Sequence, residues 1–111
     1  MKSTLSAVLA TLLSVTLVPA RADYPERPVK VIVPFQVGGA GDVAARALAD
    51  GLSKKTGQNF VVGNRPAATG LVGTQAAATT PPDGYTLCLG HSDTVGLNTL
   101  LRKKLPYDAF K

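Results

Sequence analysis

The chain has 111 residues, enough for one small domain. Its formal net charge of +5 is modest and mostly scattered, and no basic stripe interleaved with aromatic residues is present. This pattern argues against a nucleic-acid partner and slightly favours small anionic ligands. A single cysteine excludes an internal disulfide framework, and with a single histidine no clustered zinc motif can be written.

The first 22 residues are typical of a secretory signal peptide. Lys2 supplies a positive start, Leu5–Val18 is an apolar run, and Ala20 and Ala22 form a small-x-small cleavage pattern. A buried N-terminal helix is the alternative, but it does not explain the cleavage pattern. We expect cleavage before Asp23 and export to a bacterial periplasm. The apolar run Leu5–Val18 is short for a membrane span, and we expect no membrane insertion of residues 23–111 after cleavage.

A strand, a glycine-rich turn and a helix come first in residues 29–52. Val29–Val33 is rich in β-branched residues and lies between two prolines, which predicts a buried strand. Asp42 is expected to be the N-cap of a helix that continues to about Lys55. The apolar face of this helix is predicted to consist of Ala44, Ala47, Leu48 and Leu52.

The remaining residues repeat the alternation of strands and helices. The predicted elements are a strand at Gln58–Val62, a helix at Leu71–Ala78, a strand at Tyr85–Leu89 and a short helix at Thr94–Leu101. The order βαβαβα predicts an α/β fold with a parallel sheet and right-handed crossovers.

Loops at the carboxyl ends of parallel strands build the binding site in such sheets. Three loops should gather there: Phe35–Asp42, Asn64–Gly70 and Gly90–Thr94. Each precedes a helix N-terminus, and no lysine lies within them. The sequence therefore predicts an anion site made mainly by backbone N–H groups.

Gly39–Ala44 also matches the dinucleotide-binding pattern G-x-G-x-x-A, after a strand and before a helix. An exported dinucleotide-binding enzyme is therefore an alternative. It lacks the acidic residue expected near the end of the second strand, where Gly63 and Asn64 stand instead. His91, Ser92 and Asp93 have the residue types of a hydrolase triad, but adjacent residues cannot line up in that geometry.

Several separated motifs together resemble one family. They are YPERPVKVIVPF, GGxxDxxAR, VVxNRP, PPDGYTLxLG and KKLPYD, in this order along residues 24–108. This set resembles the Bug/TctC family, the periplasmic solute-binding receptors of tripartite tricarboxylate transporters.

The resemblance implies a non-enzymatic receptor with no cofactor and no metal, whose partners are a small carboxylate and the membrane components of the transporter. The implied fold has two α/β lobes of the type II periplasmic-binding-protein kind, and residues 23–111 would form the N-terminal part of the first lobe. By position, the resemblance assigns ligand binding to the following residues: Gly38, Gly39, Asp42, Asn64, Arg65, Gly70, Ser92 and Thr94.

The sequence departs from the family pattern at several loop positions. Gln36 and Val37 replace two prolines, and Ala67 replaces a glycine, which predicts backbone strain at Ala67. His91 and Asp93 occupy a loop that usually carries smaller or neutral residues. Because family members are much longer, the chain is expected to be the N-terminal portion of a receptor, or alternatively a non-functional gene fragment.

Overall fold

A computed structural model describes residues 23–110, so the predicted signal peptide lies outside the described residues. Strands and helices alternate as the sequence predicts. The elements are β1 (Val29–Val33), α1 (Ala40–Thr56), β2 (Phe60–Asn64), α2 (Leu71–Ala78), β3 (Thr86–Cys88) and α3 (Asn98–Leu101). Ala68–Gly70 forms a 3₁₀ turn before α2, and Asp93–Leu97 forms a π-helical turn before α3.

The three strands form a parallel sheet in the order β2-β1-β3. The central strand β1 is buried except at Lys30, because it is covered on both faces and paired on both edges. Val33, its last residue, pairs with Asn64, the last residue of β2. The parallel α/β fold is therefore confirmed, and the carboxyl ends of all three strands lie at one edge of the sheet.

Helix α1 packs on the sheet through a different face from the one predicted. Its buried residues are Asp42, Ala45 and Ala49, whereas Leu48 is 58% exposed. The small alanine side chains let the helix axis approach the sheet closely, and Ala45 contacts the core cluster built on Val31 and Val33. The prediction that Ala44, Ala47, Leu48 and Leu52 form the buried face is wrong.

Two boundaries differ from the sequence prediction in ways that affect the binding loops. Strand β2 extends to Asn64, so this residue belongs to the sheet and not to the following loop. The helix predicted at Thr94–Leu101 is divided into a π-helical turn and the short helix α3. Within residues 23–110, no helix is long and apolar enough to cross a membrane.

Candidate functional site

Three loops meet at the carboxyl edge of the sheet, as predicted. Loop 1 (residues 34–39) connects β1 to α1, loop 2 (residues 65–70) connects β2 to α2, and loop 3 (residues 89–97) follows β3 and includes the π-helical turn Asp93–Leu97. Backbone hydrogen bonds fix the first residues of loops 2 and 3. Arg65 N donates to Val33 O at 2.8 Å, and Leu89 N donates to Ile32 O at 2.9 Å. These bonds extend the sheet ladder by one residue into loops 2 and 3.

Helix α1 begins earlier than predicted, at Ala40, and its N-cap is Gly39 in an extended conformation. The prediction that Asp42 is the N-cap is therefore wrong. Asp42 lies in the first turn, and its Oδ2 accepts a hydrogen bond of 2.9 Å from the backbone N–H of Gly38. An acidic residue in the first turn can satisfy a backbone N–H preceding the helix without leaving the helix itself.

The carboxylate of Asp42 is the centre of a closed network that we call the clamp, formed by Asp42, Arg46 and Asn64. Arg46 Nε donates to both carboxylate oxygens at 3.0 Å, and Asn64 Nδ2 donates to Oδ1 at 2.9 Å. Arg46 Nη2 also donates to Asn64 Oδ1 at 3.1 Å. Asn64 Nδ2 lies 3.1 Å from the carbonyl of Phe35 in loop 1. The clamp thus ties loop 1, helix α1 and the end of β2 together.

The clamp keeps Asp42 ionised although the residue is only 2% exposed. Hydrogen bonds from Arg46, Gly38 and Asn64 lower the pKa of Asp42 from 3.8 to about 2, against the opposing effect of burial. The charge on Arg46 offsets that of the carboxylate. The negative charge of Asp42 therefore does not dominate the electrostatic potential at the start of α1.

This shift predicts a specific acid sensitivity. Because the pKa of Asp42 is lower in the folded chain than in the unfolded chain, its stabilisation is present above about pH 4 and disappears as the pH falls through about 2. Asp42→Asn should lack this part of the pH dependence. Urea denaturation of both proteins at pH 2, 3, 4 and 6 measures it, and parallel curves over the whole range would contradict the clamp.

Loop 2 contains the strained backbone of the site. Ala68 and Thr69 have φ values of 47° and 57°, in the left-handed region that L-residues rarely adopt. Ala67 is instead extended, at φ −169°. The predicted strain is thus in this loop but one and two residues later than expected, because the turn into α2 is made by residues 68–70.

Loops 2 and 3 are packed directly against each other. A Cβ at Gly70, whose φ is 81°, would lie 2.7 Å from Thr94 Cγ2. Thr94 is fully buried, and its hydroxyl both donates to His91 O at 2.9 Å and accepts from His91 N at 3.1 Å. Gly70 and Thr94 therefore hold two loops in contact, and the hydroxyl of Thr94 is already occupied.

Two cavities lie beside loop 1. The cavity between loops 1 and 2, called the Thr69 cleft, has a volume of about 320 Å³ and is lined by Pro34, Phe35, Gln36 and residues 66–70. The cavity between loops 1 and 3, called the Leu89 pocket, has a volume of about 230 Å³. Its lining consists of Phe35, Gln36, Gly39, Ala40, Gly41, Leu89 and His91. Phe35 and Gln36 form the wall shared by the two cavities.

The predicted site residues fall into two groups. Those of loop 1 and the strand end are brought together, since Gly38, Gly39, Asp42 and Asn64 surround the start of α1. Arg65 and Ser92 are exposed side chains that line neither cavity. Gly70 lines the Thr69 cleft, whereas Thr94 lines neither of these two cavities.

Arg46 is not among the site residues that the sequence predicts. The side chain is half exposed, but its guanidinium completes the clamp. The spacing of four residues between Asp42 and Arg46 on one helix was the available signal. For the part of the chain described here, no cluster of three or more metal-ligating side chains is present.

Comparison with known proteins identifies the family. A family model described as the tripartite tricarboxylate transporter family receptor, TctC, matches residues 44–111, more than half of the chain. The chain belongs to the TctC family. This confirms the resemblance carried by the sequence motifs. TctC family members are periplasmic solute-binding receptors and not enzymes.

Individual relatives agree with this assignment. Protein BugT of Bordetella pertussis is 48% identical over 93 residues, which cover 80% of this chain and 28% of BugT. Among solved structures, R. palustris Rpa4515 with adipate is 37% identical with a TM-score of 0.76, covering 80% of this chain and 30% of that one. MatC from Rhodopseudomonas palustris with bound malate is 38% identical with a TM-score of 0.74, covering 79% and 30%. The chain thus spans under a third of the length of these TctC proteins.

Proposed function

We propose that this chain provides one wall of the carboxylate-binding site of a periplasmic receptor that serves a tripartite tricarboxylate transporter. Its signal peptide is removed before Asp23, and residues 23–111 form the N-terminal part of the first lobe. The ligand is a small carboxylate, and the further partners are the membrane components of the transporter. No catalytic step is part of this function.

The observation that carries the proposal is the start of α1 beside the Leu89 pocket, whose lining includes Gly39, Ala40 and Gly41. The first backbone N–H groups of a helix have no acceptor within the helix. In α1 these are the N–H groups of Ala40, Gly41 and Asp42. Together with the helix dipole they favour an anion. The clamp fixes this geometry through Asp42 and Arg46 before any ligand arrives. Such preorganisation lowers the entropy cost of binding.

The predicted site residues take different roles in this proposal. Gly38 and Gly39 give the carboxylate access to the backbone at the start of α1, where a side chain would intrude. Asp42 and Asn64 position loop 1 through the clamp, and a carboxylate reaches Asp42 only through water. Gly70 lines the Thr69 cleft, and Thr94 packs against it. Arg65 and Ser92 are exposed and contribute contacts outside the two cavities.

The relatives support a carboxylate ligand over the dinucleotide alternative. Solved TctC relatives hold adipate and malate. A dinucleotide site would use a free acidic side chain at the end of β2, but that position is Asn64, whose amide is engaged in the clamp. The glycines of Gly39–Ala44 are therefore interpreted as the entrance to an anion site of the receptor type.

Calorimetric titration of the purified chain with malate, adipate and citrate tests the proposal. We expect at least one of these anions to bind and the corresponding neutral diamide to give no heat. A separate titration with NAD tests the alternative, because a dinucleotide-binding site would bind NAD. Absence of heat for every carboxylate would contradict the proposal.

Arg46→Gln tests the part that the clamp plays in binding. Loss of the guanidinium frees loop 1 and leaves Asp42 without its charged partner, so we expect about tenfold weaker carboxylate binding. Lys54→Gln is the matched control, because Lys54 makes an ion pair of the same i,i+4 spacing with Asp50 on the same helix, where both side chains are exposed. An equal effect of the two substitutions would show that the clamp does not position the site.

A further inference from the structure

The Leu89 pocket suggests which carboxylates the site prefers, and this inference rests on the proposed function. We infer that the pocket is a subsite for the hydrocarbon body of the ligand, so that the chain favours dicarboxylates with an extended methylene chain over compact ones. The carboxylate occupies the start of α1, and the chain behind it enters the pocket.

The pocket is built for an apolar group. Phe35 and Leu89 are the large side chains on its lining, and Gly39, Ala40 and Gly41 add only backbone and one methyl group. Both Phe35 and Leu89 pack on the core cluster, so the walls are supported from behind. A cavity lined by such groups offers few partners to water, and filling it with methylene groups is favourable.

Gly41 places the pocket directly beside the anion-binding end of α1. A Cβ at this position would lie 3.1 Å from Phe35 Cδ2 and 3.7 Å from Leu89 Cδ2. The space that a side chain at Gly41 would fill therefore forms part of the cavity. The backbone N–H of Gly41 is one of the groups at the start of the helix that have no acceptor within it. One residue thus joins the anion site to the apolar space.

The far side of the pocket is polar and lies at the surface. Gln36 and His91 are the two polar side chains on the lining, and both are exposed. The His91 ring stands edge-on to Phe35, with 5.1 Å between centroids and an interplanar angle of 71°. Asp93 Oδ2 lies 3.6 Å from His91 Nδ1. The second carboxylate of an extended ligand would leave the pocket between Gln36 and His91.

A chain-length series tests the inference on the purified full chain without any substitution. Succinate, glutarate and adipate carry equal charge and differ by one methylene group each. If the methylene groups enter the pocket, the Kd falls about fourfold per added group and about fifteenfold across the series. Equal Kd values would overturn the inference and leave the proposed function standing. Absence of binding by all three would overturn the inference, and the proposed function would then be decided by the titrations with malate and citrate.

Leu89→Phe provides a second, independent measurement. The larger ring occupies the pocket, so the ratio of the succinate Kd to the adipate Kd should fall from about fifteen toward one. Leu87→Phe is the matched control, because Leu87 lies two residues earlier on β3, is partly exposed and does not line the pocket. The ratio should be unchanged in this control. A ratio that stays high in Leu89→Phe would overturn the assignment of the pocket.

Discussion

Gly73→Ala is expected to lower the free energy of unfolding by about 2 kcal/mol, although alanine is the better helix former. A Cβ at Gly73 would lie 2.8 Å from Pro34 Cβ and 2.9 Å from both Pro34 Cα and the carbonyl oxygen of Arg65. These atoms belong to the backbone or to a proline ring, so no side-chain rotation relieves the contact. Helix α2 would have to move away from the carboxyl edge of the sheet.

Gly51→Ala is the matched control for this prediction. Gly51 is also a helical glycine, in α1, but nothing lies within 4 Å of its Cβ position. The substitution should therefore raise the free energy of unfolding by about 1 kcal/mol through helix propensity alone. Urea denaturation monitored by circular dichroism compares the two variants. Stabilisation by both substitutions would show that α2 does not pack closely against loop 1.

The parallel sheet could be predicted because its central strand carries a local signal. Val29–Val33 combines β-branched residues with flanking prolines, and each turn signal later in the chain separates a strand from a helix. Alternating elements of this kind have few possible topologies, since crossovers between parallel strands are right-handed. The placement of three loops at one edge follows from the same rule and needs no knowledge of side-chain contacts.

The clamp could not be predicted in the same way, because it depends on distances between separate elements. Asp42 and Asn64 are 22 residues apart in sequence and meet only because β1 and β2 pair in register at Val33. The burial of Asp42 in turn decides which face of α1 meets the sheet. Hydrophobic periodicity favoured Leu48, but Ala45 and Ala49, which lie on the same helix face as Asp42, are the buried residues.

Loop 2 shows a further limit of sequence reasoning. The replacement of a glycine of the family pattern correctly predicted backbone strain in this loop, but the strain was expected at Ala67. The left-handed residues are Ala68 and Thr69, since the position of the turn is set by where β2 ends and α2 begins. Both boundaries depend on tertiary packing, and the sequence prediction ended β2 two residues early.

Gly70→Ala is expected to destabilise the chain by about 3 kcal/mol, the largest effect of any glycine substitution proposed for the binding loops. Two costs combine at this position. An L-residue at φ 81° adopts an unfavourable backbone conformation, and its Cβ would lie 2.7 Å from Thr94 Cγ2 and 3.3 Å from Pro34. Thr94 cannot simply rotate away, because its hydroxyl is hydrogen-bonded to the backbone of His91.

Gly38→Ala separates the two costs. Gly38 has a nearly identical φ of 84°, but nothing lies within 4 Å of its Cβ position. The substitution should therefore cost only the backbone term, about 1 kcal/mol. Equal destabilisation by Gly38→Ala and Gly70→Ala would show that loops 2 and 3 are not in contact at Thr94.

A double-mutant cycle tests whether the rest of the destabilisation by Gly70→Ala comes from the contact with Thr94 Cγ2. Thr94→Ser removes Cγ2 and keeps the hydroxyl that bonds to His91, so the single substitution should be mild. Combined with Gly70→Ala it should recover about 1 kcal/mol of the lost stability, a favourable coupling that strictly additive effects would contradict. Because Gly70 and Thr94 join loop 2 to loop 3, the same coupling should appear in carboxylate affinity if the two loops bind as one unit.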